Sequence, residues 1–384
     1  MIHYAKIISC YAADTSGVCS ALYELGGMTV VHDASGCNST YSTHDEPRWY
    51  DMDSMIYVSG LTEIDAVMGN DERLISDVCD AAEELNPEFI TLCGSPMPAM
   101  TGTDFDAIAS VTEQRCGIKT FGLHTNGMHS YIDGASEAFE KIADYFCKKS
   151  GRKNNKPTVN IIGATPLDFS SQKIINSMKN WLCESGFDVG SCMAMGDSLD
   201  RIIAAGDSDC NLVISGSGLA AAELLEKKFG IPYVVGVPYG KKYSEILAAD
   251  IIKAIETKSS LFSSAERSNS QKSDIAVVGE AVMSASLARA IEGDTGLSAR
   301  VICTLEKDKR FFADGDLCIA DERFLAEEFA KCGIIIADGL FKPICPENVR
   351  FYSLAHEAFS GRCFRKTVTD IIGTCLKVTP HKAR

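Results

Sequence analysis

The stretch DERLISDVCDAAEELNPEFITLCG, residues 71–94, decides the fold class of this chain. Its first part has apolar residues at helical spacing and stops at Asn86-Pro87, which is a typical helix end. Its second part, EFITLCG, is a short apolar run that ends in glycine and has the length of a buried strand. A helix followed at once by a buried strand predicts an α/β protein with a parallel sheet.

The same alternation continues along the chain on both sides of this stretch. Short apolar or β-branched runs predict further strands at MTVVHD, TVNIIG, FDVGSCM, CNLVISG, IPYVVGVP, DIAVVGE, ARVICTL, GIIIADG and VRFYSLA. Amphipathic stretches such as SSQKIINSMKNWLCESG and LAAAELLEKKFG predict helices between them. The pattern therefore favours parallel sheets covered by helices on both faces, with ligands bound at the carboxyl ends of the strands.

Two polar segments divide the chain. GRKNNKP and the serine-rich KSSLFSSAERSNSQKS lack the periodicity of helices and strands. A chain of 384 residues is also too long for one ordinary core. We predict three Rossmann-like domains of ordinary size, at residues 1–152, 153–265 and 266–384.

Composition limits the partners and the compartment. A formal net charge of −15 argues against nucleic acid or an anionic membrane as the main partner. No apolar run approaches the length of about 20 residues that spans a bilayer, and the N-terminus has no signal-peptide pattern. The 16 cysteines are therefore expected to be mostly reduced thiols of a cytoplasmic protein.

Three cysteines, Cys10, Cys37 and Cys93, follow short apolar runs and precede small-residue turns, in KIISCYAAD, MTVVHDASGC and EFITLCGSPMP. We place them at strand ends, and such ends share one edge of a parallel sheet. Converging thiolates suit an iron–sulfur cluster. Zinc also binds cysteine, usually through closely spaced pairs, and buried reduced thiols are the third alternative.

Other motifs allow more than one interpretation. Gly216-Ser217-Gly218 resembles a nucleotide-binding turn without its third glycine, and tight strand–helix packing explains it equally well. His124 and His356 are candidate ligands or proton donors, and a structural role is the alternative for each. The acids of THDEPRWYDMD predict a solvated loop, from which Arg48 could reach a binding site.

Taken in order, VHDASGC, RWY, DAVMGNDERLISDV and ITLCGSPMPAMTGTDFDAI resemble the nitrogenase component 1 family. The resemblance covers about residues 5–125, and the later strands agree with that family's three Rossmann-like domains and its chelatase-like architecture. It implies that Cys10, Cys37 and Cys93 help to hold an iron–sulfur cluster, of [4Fe-4S] or P-cluster-like type, at a subunit interface. It also implies a homodimer, or a heterodimer with a paralogous subunit, and electrons from an ATP-dependent iron-protein reductase.

The chain departs from nitrogenase proper in its middle domain. NLVISGSGLAAAELLEKKFGIP has serines where the family has a cofactor-binding cysteine, and His356 lies near the place of the family's cofactor histidine. We therefore expect a nitrogenase-like oxidoreductase for a small or tetrapyrrole-like substrate, with His124, His356 and Arg48 as candidates for its cavity. The alternatives are a scaffold for metal-cofactor assembly, a non-catalytic partner of a catalytic paralogue, or a nucleotide-binding enzyme without metal.

Overall fold

A computed structural model describes residues 5–8, 10–34, 45–151, 156–267, 273–305 and 308–378. Short strands alternate with helices throughout. The strands are β1 Met28–His32, β2 Met55–Val58, β3 Ile90–Gly94, β4 Thr120–Gly122, β5 Thr158–Ile162, β6 Asp188–Cys192, β7 Cys210–Val213, β8 Tyr233–Val235, β9 Ile275–Gly279, β10 Ala299–Cys303, β11 Leu317–Cys318, β12 Ile334–Ala337 and β13 Arg350–Ser353.

The helices connect these strands and cover the sheets. They are α1 Asp14–Leu22, α2 Glu63–Met68, α3 Asp71–Leu85, α4 Pro96–Thr101, α5 Phe105–Cys116, α6 Tyr131–Tyr145, α7 Pro166–Phe169, α8 Gln172–Glu184, α9 Leu199–Ile203, α10 Leu219–Phe229, α11 Lys241–Thr257, α12 Ala281–Thr295, α13 Glu322–Phe329 and α14 Glu357–Ser360.

The strands form three sheets, which define an N-terminal, a middle and a third unit. Their strand orders are β2-β1-β3-β4, β6-β5-β7-β8 and β11-β10-β9-β12-β13. Every pairing within them is parallel. The strand order reverses between β1 and β3, between β5 and β7, and between β9 and β12, and each reversal opens a crevice at the carboxyl ends of those strands.

The predicted α/β class with three parallel sheets is confirmed. The opening stretch contains α3 and β3, and every run predicted as a strand from MTVVHD onward contains one. The helix ends where the sequence predicts, because Asn86 takes the left-handed conformation at its C-terminus. The sheets lie within residues 28–122, 158–235 and 275–353, and the exact domain boundaries stay predictions.

Helices α1 and α6 approach each other at backbone distance. A Cβ atom on Gly17 would overlap the carbonyl of Tyr131, and a Cβ on Gly134 would overlap the carbonyl of Asp14. This contact fixes the segment before α1 against the start of α6. Helix α1 has no apolar stripe in its sequence because it is buried on nearly all sides, so periodicity does not predict it.

One expectation is wrong, and another holds only in part. Cys10 does not end a strand, since its segment crosses to the third unit, where the N–H groups of Tyr11 and Ala12 donate to the carbonyl of Ala358. The acidic stretch around Arg48 is solvated only in part, since residues 49–53 are exposed but Asp45, Glu46 and Arg48 are buried. Glu46 is 1% exposed and Arg48 8%, because they pair with each other inside the protein.

Candidate functional site

An open groove of about 910 Å³ lies where the three units meet. Its walls come from the N-terminal segment and from the chain that follows β4, β7 and β10. The lining residues are Cys10, Tyr11, Ala12, Ala13, Gly127, Met128, His129, Ser130, Ile132, Asp133, Ser136, Gly216, Leu219, Ala220, Glu223, Thr304, Leu305, Asp308, Arg310 and Phe311. The volume falls in the range of about 300–1,000 Å³ that is usual for ligand pockets.

The beginnings of two helices form part of the groove wall. Ser130 and Asp133 make a capping box at the start of α6, so the first N–H groups of that helix are already partnered. Leu219 and Ala220 begin α10 on the opposite side. The groove therefore combines polar helix ends with small side chains that leave room for a ligand.

Arg310 connects the middle and third units beside the groove. Its guanidinium donates to Glu223 on α10, at 2.5 Å, and to Asp308, at 2.7 Å. The hydrogen bond from Arg310 lowers the pKa of Asp308. With Asp133, the wall carries three carboxylates against one guanidinium.

Tyr11 lines the same groove and has a protonated hydroxyl. Its hydroxyl donates to Oδ2 of Asp45 at 2.7 Å. This hydrogen bond, together with partial burial, raises the pKa of Tyr11 to about 12. The phenol therefore keeps its proton at neutral pH.

A second, closed cavity of about 40 Å³ lies between the middle and third units. The chain that follows β5, β9 and β12 contributes Asp168, Glu280 and Asp338 to it, so the crevices of two sheets face each other here. Its lining residues are Asp168, Phe169, Ile174, Tyr239, Val278, Gly279, Glu280, Met283, Ser284, Asp338, Leu354, Ala355, His356, Phe359, Val368, Thr369 and Ile371.

His356 belongs to this closed cavity and not to the groove. Its Nε2 lies 3.3 Å from Oδ1 of Asp168, which also accepts the Tyr131 hydroxyl at 2.5 Å. The geometry at His356 is not that of a hydrogen bond, and neither ring nitrogen has a hydrogen-bond partner among the described residues. Side chains from all three units thus converge at Asp168.

The glycine turn at Gly216 serves packing. A Cβ atom on Gly218 would lie 2.6 Å from the carbonyl oxygen of Ile162, so the turn fits only with glycine there. The Gly216 N–H donates to the Glu280 carboxylate at 2.8 Å. A phosphate bound at this turn would need the same N–H, which already donates its hydrogen bond to a side chain of the third unit.

The structure places two of the three candidate cysteine ligands, because Cys37 lies outside the described residues. The Cys10 thiol donates to the carbonyl of Ala358 at 3.2 Å and lines the groove. Cys93 is fully buried in the main core beside Val30, and burial raises its pKa well above the usual range.

The assignment of Cys10 and Cys93 to one iron–sulfur cluster stays a prediction. The two cysteines pack in different hydrophobic clusters, and burial favours the thiol form of Cys93 where the structure places it. Among the described residues, no three histidine, cysteine, aspartate or glutamate side chains form a metal-binding group.

Arg48 holds the N-terminal and middle units together and does not line the groove. It donates to Glu46 at 2.7 Å, to Glu24 at 2.8 Å and to the carbonyl of Ala194 at 2.7 Å. Burial alone would lower the pKa of Arg48, but the charges of Glu46 and Glu24 outweigh it and raise the pKa. The guanidinium therefore stays charged inside the protein.

His124 lies on the surface of the N-terminal unit, away from both cavities. Its Nδ1 is 2.7 Å from Oε1 of Glu137 and its Nε2 is 3.2 Å from Oδ2 of Asp106. The hydrogen bond to Glu137 raises the pKa of His124, against the opposing effect of partial burial. Its neighbour His129 lines the groove instead.

We expect His124→Gln to lower stability in a pH-dependent way. Because the folded pKa is raised, the contribution of His124 is complete below its unfolded pKa and disappears as pH rises through the folded pKa. The loss should stay below about 1 kcal/mol, since the ion pairs are exposed and screened. Urea unfolding at pH 6.0 and 8.5 measures it, with His129→Gln as the control. A loss that is equal at both pH values would contradict this assignment.

Part of this site could be predicted from the sequence. Glu280 and Asp338 directly follow runs predicted as strands, and the carboxyl end of a parallel strand is where ligand contacts are expected. Asp308 and Arg310 follow no motif, and only the tertiary fold brings them to Glu223.

Three Rossmann-like units around one interdomain groove define a class of α/β proteins that bind ligands between their sheets. The family model for nitrogenase component 1 type oxidoreductases matches residues 17–326, and the chain belongs to this family. The predicted family is thereby confirmed. No helix in the described ranges is long and apolar enough to cross a membrane.

Two kinds of curated relative are similar to this chain. The iron-molybdenum cofactor biosynthesis protein NifE of Clostridium pasteurianum is 27% identical over 203 residues, which cover 51% of this chain and 43% of NifE. A light-independent protochlorophyllide reductase subunit of Pinus koraiensis is 25% identical over 306 residues, covering 70% of this chain and 59% of that protein. The chain thus spans less than two thirds of these relatives.

A solved structure confirms the fold. The nitrogenase Cp1 structure at pH 6.5 superposes with a TM-score of 0.71 and 16% identity, and the match covers 97% of this chain and 92% of that one.

Proposed function

We propose that this chain is a subunit of a nitrogenase-like oxidoreductase that reduces a small or tetrapyrrole-like substrate in the groove between the three units. An ATP-dependent iron-protein reductase would supply the electrons, and a second copy or a paralogous subunit would complete the complex. The observation that carries the proposal is the open groove of about 910 Å³ in a chain of this family. The similarity to a protochlorophyllide reductase supports a tetrapyrrole-like substrate.

The groove residues bind the substrate and supply protons. Reduction of a double bond needs a proton for each electron, and a positioned side chain usually delivers it. Tyr11 lines the groove, and its hydroxyl keeps its proton at neutral pH. His129 is exposed on the same wall and is a second proton donor in this proposal.

The iron–sulfur cluster remains a separate proposal, with Cys10, Cys37 and Cys93 as its ligands. Because the structure describes only two of these three cysteines, we derive no step through the cluster.

We expect Ala220→Trp to block ligand binding in the groove. Ala220 is half-buried at the start of α10, so an indole there fills space without displacing the core. Protoporphyrin IX serves as the tetrapyrrole probe, and saturable changes in its Soret band measure the affinity. The affinity should fall at least tenfold in the variant.

Ala107→Trp is the matched control for the groove variant. Ala107 is exposed on α5 and does not line the groove, so its variant should bind the porphyrin as the wild type does. The absence of saturable binding to the wild type, or equal affinities for all three proteins, would contradict a tetrapyrrole site in the groove.

A scaffold for metal-cofactor assembly is the second candidate function. The similarity to NifE, a cofactor biosynthesis protein, favours it. A scaffold would release its cluster intact to an acceptor protein, whereas an oxidoreductase subunit would keep its cluster during turnover. Incubation of the iron-loaded protein with an apo acceptor, followed by separation and iron analysis, distinguishes the two.

A further inference from the structure

A buried carboxylate joins the beginnings of two helices from different units. The Glu280 side chain is 1% exposed and precedes α12. Its Oε1 accepts the N–H of Val282 at 3.1 Å and the N–H of Gly216 at 2.8 Å. Its Oε2 accepts the N–H of Met283 at 2.7 Å. Backbone donors of the middle and third units therefore converge on one anion.

These donors form the kind of site that helix N-termini offer to free anions. The first N–H groups of a helix have no partner within the helix, and the helix dipole favours negative charge there. Helix α12 has 15 residues and contributes two of the donors. Gly216 contributes the third from the turn that precedes α10.

The closed cavity beside Glu280 adds a second observation. His356 lines this cavity and is 8% exposed, and neither of its ring nitrogens has a hydrogen-bond partner within the described ranges. Burial, and then the charges of Glu280 and Asp168, raise the pKa of Tyr239 on the same wall, so its hydroxyl stays protonated. Two further polar side chains therefore line the same cavity as the carboxylate.

The dimensions of the cavity limit what can bind. Its volume of about 40 Å³ is the space left beside the Glu280 side chain. With that side chain present, its carboxylate occupies the three N–H donors, so a free carboxylate finds no donors there. Without that side chain, the vacated volume matches a small free carboxylate.

We propose that Glu280 is an internal ligand, whose carboxylate fills a binding site for small monocarboxylates made by the N–H groups of Gly216, Val282 and Met283. Formate or acetate occupies this site when the side chain is removed. The inference goes beyond the proposed function, because the site lies in the closed cavity and is separate from the substrate groove. Glu280 thereby holds the middle and third units together, in the place that a bound anion would otherwise occupy.

Glu280→Ala in the full chain tests this proposal by chemical rescue. The substitution should lower the thermal midpoint, because three buried N–H groups lose their acceptor. Sodium formate should then restore at least half of the lost midpoint in a saturable way, and sodium chloride at the same ionic strength should not. The wild type should show no saturable response to formate.

Two control variants separate rescue from a general salt effect. Glu280→Gln keeps the volume of the side chain, so the site stays filled and formate should not stabilise it. Asp294 also accepts three backbone N–H groups, from Lys241, Lys242 and Leu376, but it lies outside the cavity. Asp294→Ala should therefore show no saturable rescue.

Two results would overturn the proposal: no formate-dependent rise in Glu280→Ala, or an equal rise in Asp294→Ala. If Glu280→Ala does not fold in plain buffer, its refolding yields in formate and in chloride are compared instead. Recovery in formate and not in chloride supports the site, and failure in both overturns it. Porphyrin binding in the groove is measured separately, so failure here leaves the proposed function standing.

Discussion

Arg48→Ala is expected to destabilise the protein by about 3–5 kcal/mol, the cost of removing one partner from a buried ion pair. The substitution takes the guanidinium away from Glu46 and Glu24, whose side chains are 0% and 7% exposed. It also removes the donors to the carbonyls of Ser20 and Ala194. Because Ala194 belongs to the middle unit, contact between two units is lost together with the charge pairing. Urea unfolding followed by circular dichroism measures the effect.

Arg73→Ala is the matched control for this prediction. Arg73 also pairs with a carboxylate, Asp65, at 2.5 Å, but its side chain is 50% exposed. An exposed pair contributes about 0–1 kcal/mol, since water screens it. Equal losses in the two variants would mean that Arg48 does not depend on burial for its role. If Arg48→Ala kept the stability of the wild type, Arg48 would not stabilise the fold through its buried ion pairs. A role in ligand binding would then have to be tested.

The fold could be predicted from the sequence because its signals are local. The strand predicted at CNLVISG contains Cys210–Val213, and its partner TVNIIG contains Thr158–Ile162. Both are short runs buried on two faces, which parallel sheets require. The sequence does not single out strand β2, because MIYV is only four residues long and lies at the edge of its sheet, where it is only partly buried.

The site was harder to predict because tertiary contacts create it. Arg48 lies in a stretch rich in acids, which is typical of a solvated loop, and its partner Glu24 is distant in sequence. The role of His356 depends on Asp168 and Tyr131, which come from the other two units. A single sequence gives no sign of such pairings. The position of Glu280 after a predicted strand marks it as a site residue, but not as a substitute for an anion.

The iron–sulfur proposal makes the prediction with the largest expected effect. We expect the anaerobically purified protein to be brown and redox-active, and Cys37→Ala to lose most of its iron and sulfide. A thiolate at a cluster cannot be replaced by a methyl group, because alanine offers no ligand atom. Iron and sulfide analysis of the purified proteins measures this. Cys183→Ala is the control, since Cys183 is an exposed free cysteine.

The iron content of Cys93→Ala shows whether the Cys93 side chain binds the cluster or stays in the core. If Cys93 leaves the core to bind the cluster, its variant should lose as much iron as Cys37→Ala. If it stays buried beside Val30, the variant should keep its iron and lose only about 1 kcal/mol of stability, as for other small deletions in a core. The burial of Cys93 and its raised pKa favour the second result. Unchanged iron in Cys37→Ala would reject Cys37 as a ligand, whatever Cys93 does.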